Sequence, residues 1–271
     1  MVLSRLLLRP TIDRHSLCGV FAILLWSTTV ALARSLTEQV GSLTAAASAF
    51  LTGGAFCLAY LCGSRNRMAQ IGGLSRRYLV GCGALFILYM LSLYLAIGRA
   101  SDRHQAVEVG LINYLWPSLT ILLSLFLLDK KARFWLVPGT LVAVLGVFLA
   151  LAQGASVSWA SFSTNVSSNP TAYSLGLVAA ISWGLYSNLT RRWGGAGSRG
   201  AVALFIPATG IALLVLRMLS QEQGSWHPRT LVEVAFMGGA TTLAYLLWDV
   251  AMRKGDVVLV AACSYFTPVF S

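Results

Sequence analysis

The sequence predicts an all-α membrane protein that crosses the bilayer many times and is built from two inverted copies of a five-span unit. Three observations carry this. Apolar residues fill 57% of the 271 positions and charged residues only 11%, with a mean hydropathy of +0.73, whereas a water-soluble domain carries roughly 25% charge. The apolar residues fall into runs close to the roughly 20 residues that span hydrocarbon. The order of motifs in the first half also returns in the second.

Nine runs are predicted as spans: Ser16–Ala33, Ser42–Cys62, Tyr78–Gly98, Ala106–Leu128, Phe134–Ala152, Ala172–Leu189, Ala201–Leu219, Leu231–Ala251 and Val257–Ser271. Hydrocarbon tolerates no unpaired backbone groups, so the runs are expected to be helices, and their length without strict alternation disfavours a β-barrel. The run from Ser16 is long and many others follow, so it reads as a first span and not as a cleaved signal. Residues 1–15 are a basic tail, 16–152 the first repeat, 153–170 an uncharged extracytoplasmic linker rich in Ser, Asn and Gly, and 171–271 an incomplete second repeat. Ser220–Thr230, with Glu222, His227 and Arg229, reads as an aqueous loop.

Orientation follows from the loops. With the N-terminus in the cytoplasm, the inner side collects Arg5, Arg9, Arg14, Arg65, Arg67, Arg76, Arg77, Lys130, Lys131, Arg133, Arg191, Arg192, Arg199, Arg253 and Lys254. The outer side holds only Arg34, Arg99, Arg103, Arg217 and Arg229. This positive-inside bias accounts for the net charge of +11 without a nucleic-acid partner.

The internal repeat is read from aligned motifs. Gly19-Val-Phe-Ala-Ile-Leu-Leu-Trp26 aligns with Gly176-Leu-Val-Ala-Ala-Ile-Ser-Trp183, and Tyr94–Ala100 with Tyr245–Ala251. At that second offset Tyr114 falls on Tyr265 and Pro117 on Pro268. Five spans per copy is odd, so the second copy enters the membrane from the opposite side, and a solute site is expected near mid-bilayer between the halves. The first half runs on for about 35 residues after Pro117 and the second for only three after Pro268. The repeat therefore predicts a tenth helix that is absent from this chain.

Candidate substrate-binding residues are the aromatic and polar groups at mid-span depth: Trp26, Tyr89, Tyr94, Asn113, Tyr114, Trp116, Trp183, Tyr186, Tyr245 and Tyr265, with Asn188 and Trp248 beside them. A buried amide such as Asn113 needs a partner, and aromatic faces suit a ring or an ammonium group. The competing reading is that Trp and Tyr anchor helices at the interface or wedge them apart in the core. Pro117 and Pro268 are expected to kink their helices and free the carbonyls of Asn113 and Ser264, as hinges would. Glu108 and Asp249 are the candidate coupling residues; alternatively Glu108 is solvated at the interface and Asp249 pairs with Arg253 at i,i+4.

Other chemistry finds no support. The histidines His15, His104 and His227 lie in loops or at termini, so no catalytic constellation is formed and no enzyme is expected. The cysteines Cys18, Cys57, Cys62, Cys82 and Cys263 read as small apolar helix residues, with no metal-like spacing. No phosphate-binding Gly-x-x-x-x-Gly-Lys motif occurs, and no cofactor is called for.

The Asn113-Tyr-Leu-Trp-Pro117 run, the Trp183-Gly-Leu-Tyr-Ser-Asn188 run, the Trp-centred first spans and the five-plus-five layout resemble the drug/metabolite transporter superfamily, closest to the bacterial aromatic amino acid exporters. The resemblance covers Ser16 to Ser271. It implies a ten-helix basket around a central cavity and export of aromatic and related amino acids across the inner membrane by alternating access. The alternative within the same fold is a multidrug or other small-metabolite exporter. The implied partners are a small amino acid or a cationic or aromatic solute, and the lipid bilayer; a monomer is expected.

Overall fold

The computed structural model describes residues 13–129, 136–152, 159–195 and 200–270. The first helix, α1 (Arg14–Val40), starts at Asp13, whose carboxylate accepts the N–H groups of His15 and Ser16 at 2.8 and 2.6 Å. It runs two turns past the predicted Ala33 because Ser35 and Gln39 both donate to Glu233 of a later helix, at 3.0 and 2.9 Å. It stops at Gly41, whose φ of +88° favours glycine. Next come α2 (Ser42–Cys62), as predicted, and a short α3 (Arg65–Gly72). The third span opens with a wide π-helical stretch over Arg77–Cys82 and continues as α4 (Gly83–Arg99).

The fourth span is broken, which corrects the expected kink. α5 (Arg103–Asn113) ends, Tyr114 and Leu115 leave the helix, and α6 (Trp116–Leu127) begins with Pro117 in its first turn. A first-turn proline has no N–H to leave unpaired, so it starts a helix at little cost. Then follow α7 (Leu136–Ala152), α8 (Trp159–Ser168), α9 (Pro170–Trp193), α10 (Val202–Met218), α11 (Pro228–Lys254) and α12 (Val257–Cys263). The chain tightens after α12 into a 3₁₀ stretch over Ser264–Val269 that contains Pro268, so both copies lose the α-helix at the same motif. The predicted linker contains a helix, α8. The tail up to residue 12, Lys130, Lys131, Arg133, Phe134, Arg199 and Ser271 lie outside the described residues.

Among the described residues, five segments combine membrane-spanning length with apolar composition: Arg14–Val40, Ser42–Cys62, Arg77–Arg99, Arg103–Leu127 and Pro228–Lys254. Their outward faces keep large apolar side chains uncovered; Val80 is 70% and Phe126 73% exposed. Water would penalise such surface and lipid does not.

The packing is reciprocal. The repeat pairs α1 with α9, α2 with α10, α4 with α11, and the broken α5–α6 with α12 and its 3₁₀ continuation. α1 lies along α11, and α9 lies along α4; α2 crosses α10, and α6 meets α12. The residues at the crossings obey the same exchange. A Cβ on Gly19 would stand 2.3 Å from Val260 Cγ1, and one on Gly176 3.3 Å from Val109 Cγ1. Val109 and Val260 are related by the same offset that relates Tyr114 to Tyr265. Gly54 faces Pro207 while Gly210 faces the Phe50–Leu51 backbone. Small residues thus let backbones approach, as helix contacts in lipid require.

At the end of the bundle away from the start of α1, the α10–α11 loop is tied to the α1–α2 turn. Glu222 accepts the N–H groups of Leu43 and Thr44 at 2.9 and 2.8 Å and the hydroxyls of Ser42 and Thr44, and so caps α2 from about 180 residues away. Burial opposes its ionisation, but these donors outweigh burial and hold the carboxyl below its ordinary value of 4.5.

Two outcomes follow. Glu222→Gln should lower stability by about 1–3 kcal/mol at neutral pH, read as a drop in melting temperature. Because the folded pKa is depressed, the gap from wild type should be full above about pH 4.5 and shrink as pH falls through the lower folded value. Gly53→Ala, whose new Cβ would sit 1.9 Å from Thr242 Oγ1 and 2.9 Å from the Gly238 carbonyl, should destabilise the α2–α11 crossing by about 1–3 kcal/mol.

Candidate functional site

A cavity of about 280 Å³ lies between α1, α4, the α5–α6 break, α9, α11 and the 3₁₀ segment. Its floor is an aromatic cluster centred on Trp183. Around that ring stand Tyr89 at 4.6 Å, Tyr186 at 4.9 Å, Tyr245 at 5.7 Å, Trp26 at 5.9 Å, Trp248 at 6.0 Å and Trp116 at 6.2 Å, centroid to centroid. Each such contact adds about 0.5–1.5 kcal/mol beyond burial. Local geometry explains the placement. Trp26 and Trp183 each follow a crossing glycine by seven residues, two turns on one helix face.

Of the predicted residues, Trp26, Tyr89, Tyr94, Asn113, Tyr114, Trp116, Trp183 and Tyr245 line the cavity. Tyr186 and Tyr265 do not. Tyr186 is wholly buried against Trp183 and Phe86, and the Tyr265 hydroxyl bonds Ser118, joining the 3₁₀ segment to α6. Asn188, also predicted, holds helices together: its Nδ2 donates to the carbonyls of Thr120 and Gly184, both at 2.9 Å. Trp248 supports the floor, with Nε1 donating to Ser187 at 3.4 Å.

Among the lining residues that sequence reading missed are Thr29, Ala33, Leu93, Ile97, Met237 and Thr241. Helical spacing from the aromatic residues would have found them. Thr29 and Ala33 lie three and seven places after Trp26, Ile97 three after Tyr94, and Thr241 four before Tyr245. These positions fall in the halves of α1, α4 and α11 away from the start of α1, so the cavity belongs to that side of the bundle.

The lining residues include no charged side chain. Two buried polar atoms in the lining have no hydrogen-bond partner among the described residues: the Trp26 Nε1 donor and the Asn113 Oδ1 acceptor. Leaving such a group unpaired costs about 1–3 kcal/mol, which makes the pair a polar handle of both senses inside aromatic walls.

Asp249 and Glu108 both stand outside the cavity. Asp249 lies at the other end of the bundle, where Arg253 Nε donates to it at 2.8 Å, both side chains being buried, and the Tyr78 hydroxyl donates to its second oxygen at 2.7 Å. The Ala201 N–H closes on the Tyr78 hydroxyl at 3.2 Å, and Gly200 packs so tightly that a Cβ would stand 1.8 Å from Asp249 Oδ2. Arg191 adds a bond to the Arg253 carbonyl at 2.6 Å. Tyr78 was not among the predicted site residues; its partner is 171 positions away, beyond any local pattern. Glu108 is not solvated. It is buried beneath α8, accepting from Asn165 Nδ2 at 3.1 and 3.2 Å and from the Tyr173 hydroxyl. The helix in the linker covers it.

Known proteins share this architecture. Residues 1–152 match the EamA-like transporter family. The aromatic amino acid exporter YddG of Salmonella typhimurium is 33% identical over 262 residues, covering 96% of this chain and 87% of that protein. The Escherichia coli protein of the same name is 34% identical over 263 residues with the same coverage. The one from Ancylobacter novellus is 33% identical over 264 residues, covering 94% and 85%. A solved crystal structure superposes with a TM-score of 0.77 at 30% identity, over 94% of this chain and 85% of that one. A family match across more than half the sequence, relatives aligned along nearly all of it and a shared helical fold lead to one conclusion: this chain belongs to the EamA-like transporter family.

Proposed function

We propose that this protein exports aromatic and related amino acids across the inner membrane by alternating access. The observation that carries the reading is the uncharged aromatic cavity with one orphan donor and one orphan acceptor. An amino acid is neutral overall and carries both complements. Its carboxylate accepts from Trp26 Nε1, its ammonium donates to Asn113 Oδ1, and its side chain lies on the rings of Tyr89 and Trp183. The cavity volume of about 280 Å³ lies just below the roughly 300–1,000 Å³ usual for ligand pockets, which suits so small a solute. The names of the relatives point the same way.

With the N-terminus cytoplasmic, the cavity faces outward and the Tyr78–Asp249–Arg253 cluster is the closed inner gate. Its bonds join α11 to the start of the third span and to the end of α9, elements that must part for the cavity to open inward. Asp249 couples to transport by exchanging these partners. Glu108 holds α5, α8 and α9 as one body, and the helix breaks at Pro117 and Pro268 serve as pivots. The same ring faces would accept a hydrophobic cation, which is the multidrug alternative.

A proteoliposome panel separates the readings. Labelled Phe and Trp should exchange and a quaternary ammonium dye should not; dye movement without amino acid movement rejects the substrate assigned above. Asn113→Ala should weaken substrate about tenfold, the size of one lost hydrogen bond to a charged group, with melting temperature unchanged. Unaltered affinity would remove Asn113 from the site. For the gate, Cys82 is buried one turn beyond Tyr78. With Cys82 as the sole cysteine, Tyr78→Phe should accelerate its alkylation from the cytoplasmic side, and an unchanged rate would sink the gate assignment.

A further inference from the structure

Three helix ends meet where α1 begins. Arg14 and His15 from the first turn of α1, Arg191 from the last turn of α9, and Arg253 and Lys254 from the last turn of α11 together line a cavity of about 500 Å³. It is separate from the aromatic cavity and shares no lining residue with it. Among the described residues no acidic side chain lines it. The acids nearest in sequence are committed elsewhere. Asp13 caps α1, Asp256 caps α12 by accepting from Val258 and Leu259 at 3.0 and 3.2 Å, and Asp249 is sealed inside the bundle with Arg253. Neither Arg14 nor Lys254 has an ion-pair partner among the described residues.

Helix dipoles explain only part of this. Cations in the last turns of α9 and α11 complement the negative ends of those helices. Arg14 stands at a positive end, where a cation is disfavoured. Gathering both kinds of helix end around one hollow concentrates like charge that only an anion relieves. The hollow is also shaped by fixed groups, since Arg253 is held by Asp249 and Arg191 by the Arg253 carbonyl.

We propose that this cavity is a binding site for a phosphate-bearing anion. Guanidinium forks and a lysine ammonium are the groups that recognise phosphate oxygens, and basic hollows between membrane helices hold anionic headgroups on the cytoplasmic side. The phosphodiester of an anionic phospholipid and free phosphate share this chemistry.

The test uses the full chain in detergent, with retained lipid measured by native mass spectrometry against phosphatidylglycerol and phosphatidylcholine, and inorganic phosphate titrated separately by calorimetry. Wild type should bind the anionic probe. Arg14→Gln with Lys254→Gln, which leaves the Asp249–Arg253 pair intact, should weaken it about 30-fold, on the order of fivefold per cation removed. Arg76→Gln, a basic residue outside the cavity, should leave it unchanged. Retention of phosphatidylglycerol with no phosphate binding assigns the site to a lipid headgroup, and phosphate binding without lipid preference assigns it to the free anion. Absence of both, or equal weakening by Arg76→Gln, overturns the proposal.

Discussion

The structure depends on two helices that each present a glycine and, two turns later on the same face, a tryptophan. The glycine of α1 admits the side chain of Val260, and that of α9 admits Val109. The tryptophans then meet at the centre, 5.9 Å apart. Lipid provides no hydrophobic drive between helices, so contact must come from close approach and shape. Removing either glycine's space would push a broken span outward and separate the rings that floor the cavity. The core of the site and the core of the fold are therefore the same set of contacts.

Backbone breaks are confined to where this core leaves room. In hydrocarbon an interrupted helix exposes polar groups that must be met by protein or by a cavity. The interruption at Tyr114–Leu115 lies beside the aromatic cavity, and the 3₁₀ stretch after α12 reaches it through Thr267. Ser27 bridges the second of these by donating to the Thr267 carbonyl at 3.2 Å. The same irregularity that unsettles the helices supplies the polar atoms of the site, Asn113 foremost.

Much of this was legible in the sequence, and the exceptions share a cause. Span order, the repeat and half of the cavity lining follow from hydropathy and from aromatic residues at mid-span, because helix geometry in lipid is nearly determined by length. What escaped reading depends on pairing at a distance. Glu222 looked like loop charge and is the cap of α2. Glu108 looked like an interfacial acid and is buried under α8, a polar helix that composition presents as linker. Tyr78, the first residue of a predicted span, is a partner of Asp249. Each is a polar residue near a span end, where sequence alone cannot tell solvent from a neighbouring helix.

The departures from the repeat are as informative as the matches. At the offset that carries Tyr94 to Tyr245, Asp249 corresponds to Gly98, Arg253 to Asp102 and Tyr78 to Arg229. The acid of the Asp249–Arg253 cluster has a hydrogen atom for its counterpart, so no equivalent ion pair can form from these positions at the other end of the bundle. Under the alternating access proposed above, two perfect copies would make the two access states equal in energy. Here one end is closed by a buried ion pair with a tyrosine and a glycine packed on it, and the other end is open to the cavity. A difference of about 1.4 kcal/mol between two states is already tenfold in population. Under the proposed alternating access, the asymmetry of three side chains is sufficient to decide which way the resting protein faces, while the symmetry of the glycines and tryptophans keeps the opposite state within reach.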